Sequence, residues 1–252
     1  MGSRRLIRSI WLKLGALQPA GLRFVRLGRY AYAHESELRY LVHLVDAGST
    51  VVDVGANAGQ YAYTLSRLVG RSGRVICVEP QPVLGRFLRR AARQLRLPIM
   101  VERCALSDHT GTEQLHIPLI SGKKISTRAS VVAHGAVQYT SMQVPMRRLD
   151  DIMPSVSNRV SLIKIDVEGH ELAVMMGGLK TIQTHRPAIL VEIDEKHSHV
   201  PVERTNDLLR DLRYEKFYIS KDGKRVRLGY TEDPGIDLGT HNFLFIPMER
   251  VA

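Results

Sequence analysis

Three clusters of side chains in this 252-residue chain have types and spacings suited to chemistry. Residues 51–61 read Val-Val-Asp-Val-Gly-Ala-Asn-Ala-Gly-Gln-Tyr. The apolar run ends on Asp53, and Gly55 and Gly59 let the chain turn sharply beyond it, with space for a ligand against the backbone. A dinucleotide fingerprint wants G-x-G-x-x-G, whose glycines bring amide N–H groups to a pyrophosphate. Here the pattern is Asp-x-Gly-x-x-x-Gly, and a carboxylate at the strand end repels phosphate. It suits a ligand with an ammonium or sulfonium and no phosphate, which describes S-adenosylmethionine. Glu79 closes the next apolar run, 26 residues on and followed by Pro80. A carboxylate there can accept both hydroxyls of a ribose.

The second cluster is Lys164, Asp166, Glu168, His170 and Glu171, at the end of another apolar run. Alternation places Lys164 and Asp166 on one face, and Gly169 opens the chain just after them. A sulfonium carries its own leaving group, so the protein must mainly align an acceptor and exclude water. A general base helps when that acceptor is an unactivated hydroxyl. Asp166 is the expected base or orienting group, its pKa open to elevation by burial. Glu168 is the second candidate. His170 has the convenient free pKa but stands one step into a helix. Glu192, on a later run, either binds an acceptor hydroxyl or pairs with Lys164 or Lys196.

Asp166, Glu168 and Glu192 are hard oxygen donors of the kind Mg²⁺ takes, but no metal-site spacing is present and none is expected. His197-x-His199 is too loose a pair to bind zinc. The Asp/Asn-Pro-Pro-aromatic motif of enzymes that methylate a base's exocyclic amine is absent. The third cluster lies in Leu119–Tyr139, read as a polar loop flanked by glycines. Its Lys124 and Arg128 are candidates to close over an acceptor.

The elements that carry these residues alternate. Strands are predicted at Thr50–Val54, Arg74–Val78, Ile99–Arg103, Ser161–Ile165 and Ala188–Ile193. Helices are predicted at His34–Ala47, Ala58–Val69, Pro82–Leu95 and Glu171–Thr184. Unbroken β-branched runs indicate strands covered on both faces, hence a largely parallel sheet in a three-layer α/β sandwich. Near the end, Tyr214–Ser220 and Lys224–Gly229 flank Asp222-Gly223, a hairpin signal, and Asn242–Pro247 adds a last strand.

Composition excludes other classes. Hydrophobics at 44% and charges at 24% are those of a globular chain, and two cysteines cannot build a disulfide framework. No apolar run reaches transmembrane length, so a cytoplasmic protein is expected. The net charge of +11 is uneven. Met1–Arg29 holds seven bases and no acid, leaving +4 for the other 223 residues. The basicity therefore reads as an N-terminal extension (residues 1–33) ahead of one domain (34–252), with no DNA partner implied. Within it, Leu6, Ile7, Ile10, Trp11, Leu14 and Leu17 make one helical face. That face either packs on the domain or meets anionic lipid at the inner face of a membrane. The loop and the extension together are expected to wall the acceptor site, so deleting Met1–Arg29 should cost acceptor turnover more than cofactor affinity.

The motifs DVGANAGQY (53–61), VEP (78–80), ALSD with Gly111 soon after, RRLDD (147–151), IKIDVEGHE (163–171) and VEI (191–193) occur in the order seen in FkbM-type methyltransferases. From Val51 to Ile193 the chain resembles that family. The resemblance implies a class I, Rossmann-like methyltransferase with a seven-stranded, mostly parallel sheet and an antiparallel strand near its C-terminus. It implies S-adenosylmethionine as cofactor and, most often, methylation of oxygen. Asp53, Gly55, Ala56, Asn57, Gly59 and Tyr61 would surround the methionine part, and Glu79 and Pro80 the ribose. Ala105, Leu106, Ser107 and Asp108 would border the adenine. Lys164, Glu192, Lys124 and Arg128 remain for an acceptor, expected to be a sugar, glycolipid or secondary metabolite. A nicotinamide oxidoreductase, an RNA methyltransferase, and a basic RNA- or membrane-associated binding protein with a vestigial pocket are the alternatives.

Overall fold

The computed structural model describes residues 19–120, 123–133, 138–153, 158–193, 201–230 and 241–251. The apolar face Leu6–Leu17 and the His197/His199 pair lie outside them. The main sheet is built from β1 (Thr50–Val54), β2 (Arg74–Val78), β3 (Ile99–Glu102), β8 (Val160–Ile165), β9 (Ala188–Glu192), β10 (Tyr214–Ile219), β11 (Arg225–Leu228) and β12 (Asn242–Pro247). Their order is β11-β10-β12-β9-β8-β1-β2-β3. This corrects the expected seven strands to eight. The Asp222-Gly223 turn adds β11 as an edge strand, and Gly223 sits at φ +84°. Strands β3, β2, β1, β8 and β9 run parallel, whereas β12 is antiparallel to both its neighbours.

Chain order reverses at β1, which lies between β2 and β8. Ligands of open α/β sheets bind beyond the carboxyl ends at such a switch point. Side-chain alternation sends Val51, Asp53, Leu162 and Lys164 to one face of the sheet, and Val52, Val54, Ile163 and Ile165 to the other. The first face is covered by α1 (Ala20–His34), α2 (Ser36–Tyr40), α3 (Gln60–Val69) and α4 (Pro82–Leu95). The second is covered by α6 (Glu171–Met176), α7 (Leu179–His185) and α8 (Val202–Asp211), together with the short α5 (Leu149–Ile152).

Three local readings change. The helix expected over His34–Ala47 is the short α2 plus one 3-10 turn, Leu41–His43, because Glu35 is extended and breaks it from α1. The stretch Glu171–Thr184 is two helices separated by Gly177-Gly178. A Cβ on Gly177 would overlap the Ser107 carbonyl, so helix and loop meet backbone to backbone there. The supposed loop Leu119–Tyr139 joins two long strands. These are β5 (Gly111–Ile120) and β7 (Tyr139–Arg147), which with β4 (Ala105–Leu106) and β6 (Lys123–Lys124) form a second sheet, β4-β7-β5-β6.

The basic extension also contributes to the core. Phe24 of α1 is fully buried, edge-on to Tyr63 and Phe87, and it fills the space that a Cβ on Gly59 would need. Gly28 lies flat on the Tyr63 ring for the same reason.

Candidate active site

The turn after β1 is shaped by the protein's own packing. Gly55 (φ +74°), Asn57 (φ +49°) and Gly59 (φ +81°) are all left-handed. A Cβ on Gly55 would overlap the carbonyl oxygen of Asp166, which locks the turn against the end of β8. Asn57 supports its strained backbone by accepting the Ala58 amide hydrogen on its own Oδ1 at 2.7 Å. Ala56 is buried and its amide donates to the Val78 carbonyl, tying the turn to β2.

Asp53 ends β1 fully buried, and neither carboxylate oxygen accepts a hydrogen bond among the described residues. Lys164 Nζ lies 3.7 Å from Oδ1. Burial outweighs that cation and lifts the Asp53 pKa to about 6. An orphaned buried carboxylate beside a glycine turn is a ready acceptor for a ligand's cationic N–H donors.

Glu79 is clamped. Its Oε2 accepts the Asn57 amide and its Oε1 the Gln81 amide, each at 2.8 Å. Burial still raises its pKa to about 7, against the pull of those two amides. Each oxygen keeps a lone pair for a vicinal diol. The residues present thus fit S-adenosylmethionine: Asp53 would hold the amino acid end, Glu79 the ribose. Pro80 is half-buried beside it, at the entry to α4.

On the adenine side, Leu106 and Ser107 are buried, Ala105 is half-buried and Asp108 exposed. His170 packs against this loop. Its Nε2 lies 3.0 Å from Ser107 Oγ, and burial lowers its pKa, keeping the ring neutral.

The ionic cluster at the ends of β1 and β8 centres on Lys164. Its ammonium bonds Asp166 Oδ2 at 2.9 Å, reaches toward Asp53, and lies 5.1 Å from the centre of the half-buried Tyr61 ring. Burial alone would lower the lysine pKa; Asp166 and Asp53 overcome this and raise it. Glu192, at the end of β9, is pushed up to about 9 by the charge of Asp166, then by burial, with a hydrogen bond between the two carboxyl groups. Both causes favour its protonated form, which would donate to Asp166. Of the two readings for Glu192, the ion pair with Lys164 does not form, as Lys164 pairs with Asp166 and Asp53; Lys196 lies outside the described residues. Glu168 is half-buried at φ +57°, and its carbonyl accepts Ser130 Oγ at 2.8 Å. Glu171 accepts the Gly169 amide at 2.8 Å and shapes the turn.

Three contributors, Gln81, Glu37 and Asn242, escaped the sequence reading. Gln81 and Asn57 both donate to the Ser126 carbonyl, at 3.0 and 3.2 Å, so the 3-10 turn Ser126–Arg128 lies over the cofactor turn. Lys124 and Arg128 flank it. Among the described residues, neither side chain bonds the Asp166 cluster. Glu37 is buried and accepts Asn242 Nδ2 at 3.3 Å, and with Glu35 its charge acts on Tyr61. The Asn242–Glu192 register pairing was the available signal for Asn242. Among the described residues no cluster of three His, Cys, Asp or Glu is arranged to hold a metal ion.

Fold and site together define a class I, S-adenosylmethionine-dependent methyltransferase. Residues 53–216 match the model of the methyltransferase FkbM domain, and the chain belongs to that family. The expected cofactor, S-adenosylmethionine, fits the carboxylates that Asp53 and Glu79 place at this turn. No curated protein matches the chain. An FkbM methyltransferase from Methylobacillus flagellatus matches at 16% identity and TM-score 0.50, over 96% of this chain and 60% of that one. This chain thus spans about three fifths of that relative's length. A putative rRNA methylase from Clostridium thermocellum matches at 13% identity and TM-score 0.47, covering 83% of this chain and 90% of its own. Fibrillarin from Aeropyrum pernix, solved with bound S-adenosylmethionine, matches at 14% and 0.46, covering 85% and 75%.

Proposed function

We propose that the enzyme transfers a methyl group to a hydroxyl of a small, uncharged acceptor, a sugar or a glycosylated lipid-like metabolite. One observation carries this reading: Asp53 and Asp166 converge on the buried Lys164, and Glu192 faces Asp166, at the carboxyl ends of β1, β8 and β9. Carboxyl groups bind hydroxyl donors well and repel a polyanion such as RNA. Bound in the cleft, S-adenosylmethionine supplies an electrophilic methyl on a positive sulfur. Asp166 accepts the hydroxyl's hydrogen bond and then its proton, since the partner carboxyl on Glu192 is already protonated. Lys164 fixes Asp166 in place. The turn Ser126–Arg128 covers the cleft and excludes water.

The test is a metabolite extract incubated with enzyme and methyl-labelled cofactor, followed by mass spectrometry. A neutral polyhydroxylated compound gaining one labelled methyl supports the reading. Label found only in RNA or protein overturns it.

A further inference from the structure

The fold brings two arginine-rich helices that are far apart in sequence together on one surface. Helix α4 turns Val83, Arg86, Arg90 and Arg93 outward at helical spacing, while Leu88, Ala91 and Ala92 face the core. Between Pro80 and Val101 there is no acidic residue, and none precedes Glu35. Helix α1 packs beside α4, its Gly21 amide bonded to Gln94 Oε1 at 2.7 Å. Its exposed residues include Leu22, Arg26 and Arg29. The two helices line a groove of about 760 Å³ in which Arg23 lies over the Phe87 ring at 5.0 Å. Of the ion pairs among the described residues, none involves Arg86, Arg90 or Arg93.

We infer that this face docks on an anionic phospholipid bilayer. Two features favour lipid over nucleic acid. The arginines are interspersed with exposed apolar side chains, Val83 at 68% and Leu22 at 44% exposure, which suit the headgroup–acyl boundary. The aromatic ring in the groove, Phe87, is capped by Arg23 and leaves no platform for stacking a base. In addition, the sequence just before α1 carries Arg4, Arg5, Arg8 and Lys13 beside the apolar set Leu6, Ile7, Ile10, Trp11, Leu14 and Leu17. Val83 stands in the first turn of α4, two residues after Gln81 of the cofactor turn. A docked bilayer would therefore lie next to the mouth of the site. The inference stands on charge and exposure and does not rest on the acceptor assigned above.

The test is flotation of the full chain with phosphatidylcholine vesicles, with and without phosphatidylglycerol. Expected is retention on the anionic vesicles alone, weakening as salt rises. The R86Q/R90Q/R93Q variant should bind them on the order of 100-fold less tightly, each arginine near an anionic surface contributing several-fold. Unchanged affinity for S-adenosylmethionine in that variant verifies its fold. V83S, which removes only the apolar insertion, should weaken binding to a smaller degree. Three results would overturn the inference: no retention of the wild-type chain, retention equal in the triple-glutamine variant, or an RNA oligonucleotide bound through these arginines while vesicles are ignored.

Discussion

Single carboxyl groups in this molecule are distinguished by what holds them. Glu79 and Asp166 are both acids at strand ends, yet one is fixed by two amides and the other by a lysine. Glu79 is therefore a rigid acceptor whose charge titrates near neutrality, its pKa raised to about 7 by burial. A carboxylate accepts two hydroxyl hydrogens where the acid accepts fewer, so cofactor affinity should weaken as pH falls from 8 to 6. Glu79→Gln should lower affinity about 10- to 100-fold, the worth of a charge-assisted bond, and should abolish that pH dependence. Calorimetry at both pH values checks it. Asp166→Asn should leave cofactor affinity near wild type and reduce kcat on the order of 100-fold or more, as loss of a general base does. In the same variant Glu192 loses the neighbouring charge that raises its pKa, so the carboxyl should ionise at lower pH, visible by infrared titration. An unaltered Glu192 would deny the coupling between them. The types of these acids were legible in the sequence because each closes an apolar run. Their roles were not, since roles depend on partners such as the Gln81 amide and Ser107 Oγ that only the fold brings near.

Helices and strands differ in how openly their sequences declare them. Buried strands β1, β2, β8 and β9 are unbroken apolar runs and were read to within a residue or two. The β5–β7 hairpin was missed because its strands face solvent for much of their length and carry Thr, Glu, Gln and Ser, a composition that resembles a loop. Helix α1 was hidden for the opposite reason: its arginines dominate the count while Ala20, Phe24, Gly28 and Ala31 do the packing. That packing revises the expectation for a truncation. Removing Met1–Arg29 takes away Phe24, which supports Gly59 from below, so cofactor binding should fail together with turnover. Phe24→Ala isolates the effect. It should destabilise the protein by about 3–5 kcal/mol, the range for deleting a buried aromatic ring, and weaken cofactor binding as the turn loosens. Denaturant unfolding with and without S-adenosylmethionine measures both, and a stability loss with unchanged affinity would separate α1 from the turn.

Taken whole, the molecule buries several carboxyl groups at its strand ends, and its stability should carry the mark of that arrangement. Glu79 and Glu192 are buried with pKa values of about 7 and 9, against 4.5 for the unfolded chain. Between those limits the folded state holds protons that the unfolded state has released. Stability of the cofactor-free protein therefore falls as pH rises. For Glu79 the 4.5-to-7 shift corresponds to an effect on the order of 3 kcal/mol, complete just above neutrality. His170 acts in the other direction. Burial lowers its pKa below 6.5, so the unfolded state takes up the extra proton and stability declines as pH drops through that region. Between pH 4.5 and 6.5 the two carboxyls outweigh the one imidazole, so stability is highest near the acid end of that range, at about pH 5. Thermal unfolding from pH 5 to 9 should show Tm highest there and roughly 5–10 °C lower at the alkaline end, as a change of this size implies for a chain of this length. Glu79→Gln should flatten part of the slope below pH 7, and Glu192→Gln should remove the slope that continues from pH 7 to about 9. A Tm that rises through neutrality in the wild type would mean that these carboxyls are solvated, and the tight cluster around Lys164 would then be open to water.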